Sequence, residues 1–174
     1  DISIVRPDNA CSIPDSLYDG LNENANIKRI FGRSFAYDLP AYMQGEDKTV
    51  MLLSYEDNQF GWAEENLQRG DMEEARGGEG VLLVAKPGFA SEVGDEITLE
   101  TGMGVQKVKV AGILGYVPFD GGENVGTLIC SEGLFRKLTG EEGYTILDIQ
   151  LKDKSDAVVE EIRSAAGEAY NFSD

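Results

Sequence analysis

The segment from Gly94 to Leu114, GDEITLETGMGVQKVKVAGIL, sets the reading of the whole chain. Ile97 and Leu99 alternate with Thr98 and Glu100, and Val108 and Val110 alternate with Lys107 and Lys109. A period of two puts the apolar side chains on one face of a strand. Gly102-Met103-Gly104 between the two runs supplies a turn, as do Val93-Gly94-Asp95 before them and Asp120-Gly121-Gly122 after. The apolar run Val81–Val84 and the run Thr127-Leu128-Ile129-Cys130 extend the pattern, so residues 77–131 read as β-rich.

The flanks differ. Ile2–Val5 reads as a short strand, and Ser12-Ile13-Pro14-Asp15 as a helix start with Ser12 as cap. Phe35, Tyr37 and Leu39 alternate with polar or small neighbours, predicting one buried strand face. Val50-Met51-Leu52-Leu53 is continuous and apolar, as in a strand buried on both sides. Phe60, Ala63 and Leu67 recur at helical spacing, predicting a helix over 57–67 that stops before Gly70. Ser131 predicts the cap of a short helix carrying Leu134, Phe135 and Leu138 and ending near Gly140. Leu147, Ile149 and Leu151 alternate as a strand, and Ser155 caps a helix with Val158, Val159, Ile162, Ala165, Ala166 and Ala169 on its apolar face. The fold class is α+β. A mixed α/β lobe is built from both chain ends, 1–70 and 141–174, with a β-rich lobe inserted at 71–140.

The chain has 174 residues, with 32 Asp and Glu against 15 Lys and Arg, a net charge of −17, and no histidine. The charge argues against nucleic acid and against anionic lipid as partners through a basic surface. The missing histidine removes the usual general base, the Ser-His-Asp triad and most catalytic zinc sites. Cys11 and Cys130 form no C-x-x-C pair and read as separate small apolar side chains, with one long-loop disulfide as the alternative. No run of apolar residues reaches membrane-spanning length and no signal peptide is visible. The abrupt start at Asp1-Ile2-Ser3 suggests a segment taken from within a longer protein.

Motifs for chemistry are weak. Glu64-Glu65 with Asp71, Glu73 and Glu74 reads as a solvated acidic face rather than a metal loop. Gly121-Gly122-Glu123-Asn124-Val125-Gly126 lacks the Lys-Ser/Thr of a phosphate loop, and Arg69-Gly70-Asp71 reads as a polar turn. Asn171-Phe172-Ser173 matches a glycosylation sequon near the chain end. The reading assigns no catalytic, cofactor-binding or metal-ligating residue. Trp62, beside Phe60, reads as core packing, with an exposed anchor as the alternative. Tyr116 and Phe119 flank Val117-Pro118 after a long strand and form a candidate contact patch or an internal packing surface. The candidate contact residues are therefore Trp62, Tyr116 and Phe119.

The order of segments resembles the extracytoplasmic core domain of the MacB-like/FtsX-like family of ABC transporter permeases. The matching stretches are Gly94-Asp95-Glu96-Ile97-Thr98-Leu99, Val108-Lys109-Val110-Ala111-Gly112-Ile113-Leu114, Leu128-Ile129-Cys130-Ser131 ahead of Phe135, and the terminal strand and helix from Thr145 and Ser155. Gly32-Arg33-Ser34-Phe35 resembles a further family element, although it stands earlier relative to Gly94 than the family pattern has it. The resemblance spans residues 27–172. It implies a porter-like α/β lobe with a β-rich insert, held outside the cell membrane between two transmembrane helices. It implies a non-catalytic role without a cofactor. The implied partners are a second permease subunit and cytoplasmic ATPase subunits, with a peptide, antibiotic, lipoprotein or cell-wall hydrolase as substrate or partner. Two other classes stay open: a stand-alone secreted ligand-binding or adhesion module, and a hydrolase working through two carboxylates.

Overall fold

The computed structural model describes residues 2–6, 8, 10–118 and 122–173. The chain divides into two compact units, residues 1–34 with 141–174, and residues 35–140.

In the first unit, strands β1 (Ile2–Val5), β2 (Ile27–Arg33), β10 (Ile146–Leu151) and β11 (Asn171–Ser173) form an antiparallel sheet in the order β11-β1-β10-β2. Helices α1 (Asp15–Asn22) and α5 (Asp156–Ala166) supply Leu21, Val159 and Ile162 to a core with Ile2, Ile4, Ile30, Leu147 and Ile149. The opposite face of the sheet is polar at its centre. Ser3 Oγ donates to Asp148 Oδ1 at 2.7 Å, and the Arg33 guanidinium, 12% exposed, pairs with the same carboxylate. Tyr144 stacks on Tyr18 at 5.3 Å and lies against Gly32, where any Cβ would collide with its ring.

Helix α1 begins differently from the expectation. Ser12 does not cap it; Ile13 pairs with Tyr144 in an isolated bridge, and Pro14 stands at the N-cap without a side-chain bond. Pro suits this place because the first helical turn needs no donor from it. Ser155 does cap α5, accepting from the Val158 N–H at 3.3 Å. That helix ends at Ala166 with Gly167 as its C-cap, so Ala169 lies beyond it, and Ala165, inside the helix, is exposed rather than part of its apolar face.

The second unit is a closed sheet. Strands β3 (Phe35–Met43), β4 (Glu46–Tyr55), β5 (Leu67–Gly70), β6 (Val81–Val84), β7 (Glu96–Thr101), β8 (Gly104–Leu114) and β9 (Val125–Ser131) pair in the order β5-β8-β6-β9-β4-β3-β7, and β7 pairs again with β8. The long β8 makes closure possible. Its first half pairs with β7, from Thr101↔Gly104 to Glu96↔Lys109, and its second half pairs with β6, from Val81↔Val110 to Val84↔Leu114. A closed sheet has no free edge, which leaves β5 as a short exposed appendage on β8. The pairs β4–β9 and β6–β8 are parallel.

Strand alternation splits the second unit's apolar residues into two layers. Val50, Leu52, Leu83, Ile97, Leu99, Val110, Leu128 and Cys130, all fully buried, face inward. Met51, Leu53, Tyr55, Leu82 and Ile129 face the other way, into a core shared with Phe60 and Ala63 of α2 (Asp57–Ala63) and Met72 and Ala75 of α3 (Met72–Arg76). Helix α4 (Glu132–Thr139) buries Phe135 and Leu138 beside β4 and β9, with Ser131 accepting from Leu134 N–H at 3.1 Å and Gly140 ending it in the left-handed region.

Three expectations are corrected here. The first boundary falls at residue 34, not 70: β3, β4 and β5 pair only with strands of the second unit, so residues 35–70 belong to it. The helix expected to reach Leu67 stops at Ala63, passes through a 3-10 turn at Glu64–Asn66, and Leu67 opens β5 opposite Leu114. Tyr37 is 52% exposed, because a bulge between Ala36 and Leu39, with Asp38 at φ +54°, turns it off the buried face.

Candidate functional site

The candidate contact residues Trp62 and Tyr116 both belong to the second unit, and Phe119 lies outside the described residues. Trp62 is not core: it is 52% exposed, because α2 turns Phe60 and Ala63 inward and carries residue 62 to the outer side. The helix is well anchored beneath it. Glu56 and Gln59 form a reciprocal capping box, with the Glu56 N–H donating to Gln59 Oε1 at 2.8 Å, and Phe60 packs edge-on against Tyr55 at 5.6 Å. A large aromatic is thus held outward on a rigid support.

Tyr116 follows β8. Val117 tucks into the core under α2 at 8% exposure, and alternation leaves Tyr116 pointing outward at 62%. Its backbone position is tied down. The Gly115 N–H donates to Asn66 O at 2.8 Å, and the Ala85 N–H to Leu114 O at 2.8 Å. The first of these bonds joins the Tyr116 loop to the 3-10 turn that continues the Trp62 helix. The structure therefore brings Tyr116 to the turn lying four residues beyond Trp62.

Beside Tyr116 is a groove of about 350 Å³ at the C-terminal ends of β6 and β8. Val84 and Val117 supply an apolar floor, with Pro118 and Tyr116 at the rim and the buried Thr127 at one side. Lys86 is the cation here, and its ammonium donates to the backbone carbonyls of Val125, at 2.9 Å, and Gly122. Glu64 and Glu65 are exposed on the adjoining 3-10 turn. Such a surface suits docking of apolar or aromatic groups, with hydrogen bonding from the tyrosine hydroxyl.

Groups with displaced titration lie elsewhere. Burial in the barrel pushes the Cys130 thiol far up. The Glu74 carboxylate raises Lys109, and the Ala10 N–H and Arg6 guanidinium lower Asp8. Both cysteines are free thiols, with Cys11 Sγ at 2.9 Å from Thr145 Oγ1. Among the described residues no group of three or more His, Cys, Asp or Glu side chains is placed to hold a metal ion.

The structure exposes further apolar residues. Tyr37 stacks on Phe35 at 5.9 Å, Tyr42 is 52% exposed on β3, and Met103 and Val105 project at the β7–β8 turn. The Gly102-Met103-Gly104 turn signal locates the last two, whereas nothing local marks the bulge that releases Tyr37.

Comparison with known proteins finds a likeness in structure alone. No family model matches the sequence, and no curated protein does. The fold is similar to that of the extracellular domain of the noncanonic ABC-type transporter YknZ from Gram-positive bacteria, at 16% identity and a TM-score of 0.68 over 99% of each chain. It is equally similar to the periplasmic region of MacB from Actinobacillus actinomycetemcomitans, at 13% identity and a TM-score of 0.68, covering 99% of this chain and 87% of that one. The fold expected from the sequence is the fold these domains share.

Proposed function

We propose that this chain, which has the fold of the outer domains of YknZ and MacB, is the extracytoplasmic domain of a bacterial ABC transporter permease. It is non-catalytic. It couples ATP-driven movement of transmembrane helices to the binding or export of a substrate, or to a partner in the cell envelope. The Trp62–Tyr116 surface, with the groove beside Tyr116, is its contact face, and Phe119 belongs with it by sequence. Its partners are a second permease subunit and cytoplasmic ATPase subunits.

One observation carries this reading: the likeness to YknZ runs through the full length of both chains. The topology of the first unit supports it. Ile2 opens β1 and Ser173 closes β11, with Ser3 paired to Ser173, so both chain ends leave the same end of one sheet. A domain anchored in a membrane on both sides needs this arrangement.

The test is to sequence the gene on both sides of these codons. An apolar span of about 20 residues upstream and another downstream are expected. A secreted product with neither span would refute the permease and favour a free binding module. With the spans in place, Trp62→Ala and Tyr116→Ala are expected to leave folding intact and to impair transport or partner capture. Unchanged function in the double variant would remove this face from the proposal.

A further inference from the structure

In a chain with two carboxylates for every cation, most cations find a partner. Arg6 pairs with Asp8, Arg33 with Asp148, Arg69 with Glu92, Arg76 with Asp57 and Glu73, Arg136 with Glu132, and Arg163 with Glu160. Lys28, Arg29 and Lys152 are exposed and make no ion pair among the described residues. These three stand together. Ile27 of β2 pairs with Leu151 of β10, and the Lys152 N–H donates to Asn26 O at 2.9 Å.

Local geometry turns them outward. Arg29 pairs with Gln150 and Ile27 with Leu151, so Lys28 is the extra residue of a bulge. Ile27 and Ile30 both stay buried, leaving two successive cations, Lys28 and Arg29, directed to solvent. Lys154 adds a fourth cation close by. Of the nearby acids, Glu161 accepts from the side-chain amides of Asn24 and Asn26, and Asp153 sits between the two lysines.

The register fixes where this cluster lies. Strand β1 starts at the level of Ile149, and β11 ends at the level of Ser3. Strand β10 ends, and β2 begins, at that same end of the sheet. Lys28, Arg29 and Lys152 therefore sit at the sheet end where β1 starts and β11 finishes.

We infer that Lys28, Arg29 and Lys152 rest on the headgroups of anionic phospholipids in the membrane that anchors the domain. This rests on the permease reading, which supplies the membrane and its direction. A net charge of −17 repels such a surface when the domain is free, and anchoring at both ends holds this cation cluster against it. The inference reverses the expectation drawn from net charge, because local cations and not the total decide contact within a Debye length. Charged side chains on an edge strand also discourage pairing with other strands. That role calls for charges along β2 and leaves Lys152, beyond the end of β10, unexplained.

The test uses the full-length gene product in lipid nanodiscs, either of phosphatidylcholine or rich in phosphatidylglycerol. Amine acylation read by mass spectrometry compares Lys28 and Lys152 with Lys137, an exposed lysine of α4 that likewise makes no ion pair. Anionic discs are expected to slow Lys28 and Lys152 about fivefold relative to Lys137, with the effect lost in high salt. Arg29→Gln is expected to reduce the protection of both. Equal reactivity in the two discs would overturn the lipid contact and leave the permease reading intact. Protection in both discs would point to a covering protein and would also overturn it. A gene product without flanking spans would refute the permease reading and this inference with it.

Discussion

Gly126 on β9 stands directly under the ring of Phe89. A Cβ placed on it would lie 2.6 Å from Cδ1 and Cε1 and 3.2 Å from Cγ. Phe89 is 5% exposed, and its backbone N–H is bonded to Lys86 O at 3.0 Å, so the ring has little freedom to withdraw. In open space, Ala in a strand is favoured over Gly by about 0.5–1 kcal/mol. Overpacking a tight site costs about 1–3 kcal/mol. Gly126→Ala is therefore expected to destabilise the second unit by about 1–2 kcal/mol net, roughly a 1 M fall in urea midpoint at a slope near 1.5 kcal/mol/M. Trp62 is the sole tryptophan and lies in this unit, so its fluorescence follows the relevant transition. The decisive measurement is the same substitution in a Phe89→Ala background. There the obstruction is gone, and Gly126→Ala should become neutral or stabilising, giving a coupling energy of about 1–3 kcal/mol. An unchanged cost in that background would refute the steric argument.

Asp148→Asn should destabilise the first unit by about 1–3 kcal/mol, because it strips a nearly buried guanidinium of its counter-charge; amide exchange of β10 would report it. Cys130, fully buried with its thiol pushed far up by desolvation, should resist a thiol reagent at pH 8 while Cys11 reacts, so one thiol titrates in the native chain and two in guanidinium. Without histidine, the unfolding midpoint should stay flat from about pH 6 to 8; above the unfolded thiol value it should fall, because buried Cys130 keeps its proton in the folded chain and loses it in the unfolded one. Asp8 has a lowered folded pKa, so its contribution is present above the unfolded value and lost as pH falls through the folded one. Lys109 has a raised folded pKa, so its contribution is present below the unfolded value and lost as pH rises through the folded one. A step in the midpoint near neutrality would contradict this.

The elements that the sequence marked clearly are those whose packing follows a simple period. Val108 and Val110, Val50–Leu53, and the Ser131 and Ser155 caps all carry local signals that the tertiary structure leaves undisturbed. Strand β2 shows no clear period in the sequence, because its bulge at Lys28 puts Ile27 and Ile30 out of alternation. Leu67 has helical spacing from Phe60 and Ala63, while the pairing with Leu114 that makes it a strand residue is non-local and carries no signal in the sequence. The boundary at residue 34 was hidden for the same reason, since only the distant partners of β3 and β4 reveal their unit. At the candidate site, the sequence leaves Tyr116 open between a contact patch and internal packing, because the burial of Val117 that turns it outward depends on distant core partners. The exposure of Trp62 is equally hidden, because aromatic burial habits do not tell which side of a short helix faces the core.

The central position of β10 has a consequence for how the chain is made. Strands β1 and β2 do not touch each other in the sheet; each pairs with β10. A ribosome therefore releases both of them long before their shared partner exists. The whole of the second unit, residues 35–140, is synthesised in between and can close its barrel first. At about 5–20 residues per second, β2 waits roughly 6–24 seconds and β1 roughly 7–29 seconds for residues 146–151. A nascent chain stalled after Gly140 would carry a finished barrel and two unpaired strands, and such a species is a substrate for chaperones or proteases.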